Sequence, residues 1–104
     1  MAGRHTELTL EVPIVPSTNG AEKDVRSLRD KTVQIAVPGG ANWTMLVQGT
    51  VDGTNWETLG TYASAGGLLA VPESLSAMRV RCTAYVAAAP TITVAGFNAR
   101  DEGA

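Results

Sequence analysis

Apolar residues in this chain fall at every second position, in short runs broken by turn-forming residues, and that period constrains the fold more than any other feature. Leu8, Leu10, Val12 and Ile14 share one parity and alternate with Glu7, Thr9 and Glu11, as in a strand with one buried face. The pattern returns over residues 32–37, 43–51, 56–62, 68–71, 77–85 and 91–97. Short strands at regular spacing predict a sandwich or barrel. No segment carries a helical period of useful length; Val25, Leu28 and Arg29 fit at most one turn of helix. The expected inward set is Val33, Ile35, Val37, Trp43, Met45, Val47, Leu59, Met78, Val80, Cys82, Ile92 and Val94. With the N-terminal strand this makes seven, enough to fold one sheet onto another.

The breaks between strands agree. Pro38-Gly39-Gly40 ends one strand, and Asp52-Gly53-Thr54-Asn55 forms a tight reversal, because glycine tolerates positive φ and Asp and Asn side chains bond the local backbone. Asp52, Gly53 and Asn55 are therefore read as turn residues rather than cation ligands. Pro13 and Pro16 confine the first strand to a sheet edge, since proline donates no ladder hydrogen bond. Residues 17–31 are polar and charged and read as a long contact loop. The 104 residues suit one domain. Its expected parts are an N-terminal edge strand or arm with the charged loop over 1–31, a body over 32–97 and a tail over 98–104.

Charge is unevenly spread. The formal net charge is −2, without the basic stripe of a nucleic-acid binder. Glu22, Lys23, Asp24, Arg26, Arg29, Asp30 and Lys31 crowd together, whereas residues 32–99 carry only Asp52, Glu57, Glu73, Arg79 and Arg81. Charged side chains make up roughly a quarter to a third of a typical small-domain surface, so either Thr, Ser, Asn and Gln solvate a body this lean or part of its surface is covered by other protein. No apolar run approaches the ~20 residues that span a bilayer, and no signal-peptide pattern opens the chain. The expectation is a soluble protein made in a cytoplasm, with neither membrane nor nucleic acid as partner.

Few residues offer chemistry. His5 is the single histidine and Cys82 the single cysteine, so no internal disulfide, zinc spacing or nucleophile–base arrangement can be assembled from sequence. Glu57 and Glu73 have no sequence partner for acid–base work. The reading is of a chain that is not an enzyme, with no cofactor and no metal site. Arg79 and Arg81, two apart, project from the face of a strand whose other face is apolar, which is either a solvated surface or one side of an ion pair between subunits. Trp43 has the inward parity, and Trp56 follows the reversal. Val86-Ala87-Ala88-Ala89-Pro90 is an unusually apolar loop, suited to close docking against another surface.

The run of residues 47–60, Val-Gln-Gly-Thr-Val-Asp-Gly-Thr-Asn-Trp-Glu-Thr-Leu-Gly, followed by Met78-Arg79-Val80-Arg81-Cys82-Thr83-Ala84, resembles small β-sandwich virion proteins of tailed bacteriophages. Val51 and the apolar loop depart from the commoner pattern of that group. The resemblance implies an all-β, antiparallel, jelly-roll-like sandwich of about seven to eight strands with an extended N-terminal arm. It also implies a capsid decoration or cement protein on the virion exterior, made in the host cytoplasm. Such a protein self-associates as a homotrimer and clamps the major capsid protein. The expected partner contacts are Arg4, Glu7 and Glu11 in the arm and Glu22, Lys23, Asp24, Arg26, Arg29, Asp30 and Lys31 in the loop. Arg79, Arg81, Ala87, Ala88 and Pro90 are the expected subunit contacts. Deleting residues 1–16 is expected to remove capsid binding and leave a folded body. Two alternatives stand beside it: a small tail or baseplate component, and a discoidin-like carbohydrate-binding module in which Trp56 and Tyr62 form a platform for a glycan.

Overall fold

The computed structural model describes residues 5–98. Their strands are β1 (His5–Leu10), β2 (Thr18–Asn19), β3 (Lys23–Asp24), β4 (Leu28–Ala36), β5 (Asn42–Thr50), β6 (Trp56–Ala63), β7 (Gly67–Val71), β8 (Ala77–Ala87) and β9 (Thr91–Asn98). All pair antiparallel. One sheet has the order β1-β9-β4-β7; the other has β2-β8-β5-β6, with β3 also on β8. Since β2 and β3 occupy one edge in succession, the sandwich has eight strand positions. Their order is that of two interleaved Greek keys, a jelly roll.

Among successive strands, only β5 and β6 form a hairpin; β2 and β3 follow one another along the same neighbour, and every other connection crosses between sheets. The tight reversal at Asp52 to Asn55 is the turn of that hairpin. Residues 88–90, in the apolar loop, carry the chain from β8 in one sheet to β9 in the other. The crossings define two ends. Residues 37–41, 64–66 and 88–90 lie at one, and residues 25–27, 51–55 and 72–76 at the other, as the strand registers require.

The core lies between the sheets and consists of alternate residues from each. Val33 and Ile35 of β4, Trp43, Met45 and Val47 of β5, Met78, Val80 and Cys82 of β8, and Ile92 and Val94 of β9 are all buried, as expected. Val37 and Leu59 are only partly buried. Leu10, Val25, Leu28, Val71 and Leu75 complete the cluster. Each fully buried aliphatic side chain contributes about 1.5–3 kcal/mol, and that apolar burial is what holds the sheets together. Val25 and Leu28 enter through a turn, not a helix: the Leu28 N–H donates to the Val25 carbonyl (3.0 Å), and the Val25 N–H donates to the Ser76 carbonyl (3.0 Å).

The N-terminal segment departs from the expected division of the chain. β1 is an edge strand, but it ends at Leu10, ahead of Pro13 and Pro16, and leaves Ile14, expected on its buried face, exposed; it is paired with β9 at six positions from His5↔Phe97 to Leu10↔Ile92. Leu10 is 1% exposed. Residues 5–10 are therefore part of the body rather than a free arm. Deleting residues 1–16 would remove β1 from the edge of its sheet together with the buried Leu10, so a destabilised body is now the expected outcome of that truncation. Residues 17–31 are likewise not one long loop, because they hold β2, β3 and the start of β4. A string of charges masked these short edge pieces, which pair with β8 through Thr18↔Cys82, Asn19↔Arg81, Lys23↔Met78 and Asp24↔Ala77.

Lys31 shows why parity matters more than charge. It shares the inward parity of Val33 and Ile35 on β4 and is 2% exposed. Its Nζ donates to the Glu73 carbonyl at 2.8 Å. Burial lowers its pKa from 10.5, with the Glu73 and Asp30 charges opposing the shift. A lysine whose folded pKa lies below its unfolded one costs stability while charged, so stability rises as pH climbs through the folded pKa toward 10.5. Lys31→Met keeps the apolar stem and removes the cation. It is expected to change stability at neutral pH by no more than ~1.5 kcal/mol and to abolish that alkaline rise. Urea titrations from neutral pH to above the lysine range check both.

Candidate functional site

The crossings sort the surface into chemically different regions. The end formed by residues 37–41, 64–66 and 88–90 contains no charged residue in those three segments. Ile14, Val15, Leu68 and Val86, all more than half exposed, lie on this half of the molecule. Ile14 and Val15 follow the end of β1, where Leu10 meets Ile92, and Leu68 lies beside Gly67, opposite Ile35.

Trp43 organises this end. Its indole N–H donates to the Ala88 carbonyl at 2.8 Å. The Ser64 hydroxyl accepts from the Trp43 N–H at 2.9 Å and donates to the Trp43 carbonyl at 3.1 Å. Ser64 and Ala88 both have positive φ, 55° and 60°, a region that side chains with a Cβ avoid. The buried ring thus holds one strained crossing and the Trp43 backbone holds the other. Among the expected subunit contacts here, Ala87 and Ala88 are half-buried and Pro90 is buried.

The opposite end gathers the charges. Glu22, Asp24 and Arg26 border a cleft with Val51, Asp52 and Gly53; Arg29, Asp30 and Lys31 border another with Pro72 and Glu73. The fold therefore brings most of the expected ionic contacts together, except that Lys31 is turned inward. Asp24 and Arg26 bind one another, Nη2 to Oδ2 at 2.7 Å. The Arg26 side chain and N–H hold the Asp24 pKa down to about 2. Asp52 is committed to its turn: its carboxylate accepts from the Thr54 and Asn55 N–H groups (both 2.8 Å), the Asn55 side chain (2.7 Å) and the Thr50 hydroxyl (3.1 Å). Those donors hold it ionised well below the usual carboxylate range. Glu7 is exposed on β1, and Glu11 Oε1 accepts from the Ala21 N–H at 2.9 Å. Arg4 lies outside the described residues.

A third region is the outer face of the β2-β8-β5-β6 sheet. Arg79 Nε donates to Gln48 Oε1 at 2.9 Å, and its guanidinium lies 4.1 Å from the Trp56 ring centroid. Gln48 in turn donates to the Thr58 hydroxyl at 3.3 Å. Arg81 Nη1 donates to Asn19 Oδ1 at 3.0 Å. Both arginines project outward, as their parity predicted. Sequence reasoning missed the Gln48 and Asn19 braces, whose only signal is the cross-strand register.

Trp56 and Tyr62 do not form a platform. Six residues apart, they share a parity in sequence, but the β5–β6 register shifts between Val47 and Gln48, leaving Leu59 as the extra residue. A one-residue bulge reverses every side chain beyond it. Trp56 consequently faces out beneath Arg79, while Tyr62 packs against the core.

No family model matches this sequence, and no curated protein matches it. In the solved structures, the chain is similar to the SPBc2 prophage-derived protein YomS. The TM-score is 0.71, with 92% of this chain and 95% of that chain covered at 10% sequence identity. At that identity the likeness is one of fold, and it extends over nearly the whole of both chains.

Proposed function

We propose that this chain is a structural virion protein of a tailed phage, a capsid decoration protein that self-associates and bridges neighbouring major capsid subunits. One observation carries the reading: the three connections at one end, residues 37–41, 64–66 and 88–90, carry no charge and Ile14, Val15 and Val86 stand exposed on that half, whereas the opposite end holds most of the clustered ions, with Val51 exposed among them. A free-standing domain intersperses its charges and keeps apolar side chains scattered. A tile fixed between neighbours has reason to separate them. The fold shared with a prophage-derived protein supports the phage setting.

In this reading the uncharged end seats on the capsid and buries its aliphatic side chains there. Ile14→Asp combined with Val15→Asp is expected to reduce occupancy on purified capsids at least tenfold, roughly the loss of a central apolar contact, without altering the thermal melt of the free protein. Cosedimentation with capsids measures the first and calorimetry the second. Cryo-microscopy of the particle with a labelled chain decides the location; label on the tail or baseplate alone replaces the capsid reading with the tail one.

A further inference from the structure

The outer face of the β2-β8-β5-β6 sheet carries two arginines that form no salt bridge among the described residues. Arg79 and Arg81 are half-exposed, and among the described residues neither forms a salt bridge; their braces, Gln48 and Asn19, are neutral. Of the two carboxylates at the β3 edge of this face, Asp24, opposite Ala77, is held by Arg26, and Glu22 forms no salt bridge among the described residues. Gln48 fixes Arg79 through Nε alone, and the Trp56 ring fixes its plane. Guanidinium groups braced in this way lose little further freedom when a carboxylate arrives, and they meet it in a bidentate fork.

The complementary surface lies on the same chain but points elsewhere. Glu57 and Glu73 border one cleft with Gly49, Leu59 and Leu75. Both are exposed, and among the described residues neither carboxylate forms a salt bridge. Glu57 pairs with Gly49, whereas Arg79 pairs with the next residue, Gln48, so the two project to opposite sides of the sheet. Within one copy they diverge. The apolar wall of Leu59 and Leu75 suits the aliphatic stem of an arginine, with the two glutamates at its head.

We propose that Arg79 and Arg81 of one copy receive Glu57 and Glu73 of the next, a contact between two different patches of the same chain. Such a heterologous contact closes into a ring or runs on as an open chain, and the trimer expected for this type of protein is one closed form. The proposal rests on the self-association in the proposed function and supplies its chemistry.

Sedimentation velocity on the full chain tests it. The wild type is expected to assemble, with an apparent dissociation constant that weakens at least tenfold between ~0.05 and ~0.5 M salt. Arg79→Glu with Arg81→Glu should sediment as a monomer, as should Glu57→Arg with Glu73→Arg. Mixed in equal amounts, the two variants should reassemble, because each now offers the charge that the other lacks. Thermal melts show that each variant is folded, and Arg81→Glu alone provides a version that leaves the Arg79–Trp56 stack intact. A wild type that stays monomeric at low salt overturns the contact. So does assembly indifferent to salt and charge reversal, or a folded pair that fails to reassemble on mixing. A chain that decorates capsids yet is monomeric in solution overturns this contact and the self-association with it, and leaves the capsid location standing. A ring found in solution but absent from particles does the reverse.

Discussion

Trp43→Ala is expected to lower the free energy of unfolding by about 4 kcal/mol, the largest loss from any single truncation in this molecule. Trp43 is the largest of the fully buried side chains, 2% exposed on β5, so its removal leaves a cavity that the flanking strands cannot close. It also frees the Ala88 carbonyl from its indole donor. A domain of this size is stable by about 5–15 kcal/mol, so a large share of the total is lost. Urea denaturation gives the magnitude. Trp43→Phe separates packing from hydrogen bonding: it retains a ring and lacks the indole donor, for an expected cost of about 1–3 kcal/mol. Its signature is faster amide exchange at residues 87–89 with little change in β4 and β9. Uniform loss of protection instead would show that Trp43 acts through packing alone.

Gly20→Ala is expected to destabilise by about 3 kcal/mol, near the upper end for overpacking, although it adds a single methyl. Gly20 is buried just beyond β2, with its N–H donating to the Val80 carbonyl at 2.7 Å. A Cβ there runs into the backbone carbonyl of Glu11 and meets the Pro13 Cδ at 3.3 Å. The obstacle is backbone, not the yielding tip of a side chain. To admit the methyl, residues 11–13 must lift away, breaking the Glu11 to Ala21 hydrogen bond and exposing Val12. Gly39→Ala is the control, since a methyl at that position meets nothing within 4 Å; its expected effect is within ~0.5 kcal/mol. Equal effects at the two positions would mean that the β1–β2 connection shifts freely. Crossings of this kind also bear on function, because Ile14 and Val15 ride on the connection that Gly20 pins.

The surface chemistry gives these structural effects their functional meaning. The same connections that Trp43 and Gly20 hold in place form the end that presents Ile14, Val15 and Val86, and the same sheet whose strands they order carries the braced arginines. Loss of either anchor is therefore expected to impair assembly indirectly, which is why the tests of the proposed contacts use charge reversal at exposed positions.

Local physics made much of this fold readable in the chain itself. Two-residue alternation placed β5 to β9 close to their observed limits, because a strand half-buried in a sandwich must alternate. The Asp52 to Asn55 reversal was equally legible, since its hydrogen bonds are all made within a few residues. Pro13 and Pro16 placed the first strand at an edge. What sequence could not supply was any quantity set by pairing across distance. β2 and β3 are too short and too charged to show a period, and only β8 alongside makes them strands. Lys31 is inward because β4 begins before its apolar run, so a cation inherits a core parity. Trp56 and Tyr62 part company because of one bulge at Leu59, which no local preference announces. The gathering at the ends is of the same kind: charges scattered between residues 22 and 73 converge, and the uncharged connections collect opposite them, only because successive connections from β3 onward, crossings and hairpin alike, alternate ends. Alternation is a local property and was settled by sequence; the face, the end and the partner of each residue depend on register, which the tertiary structure alone decides.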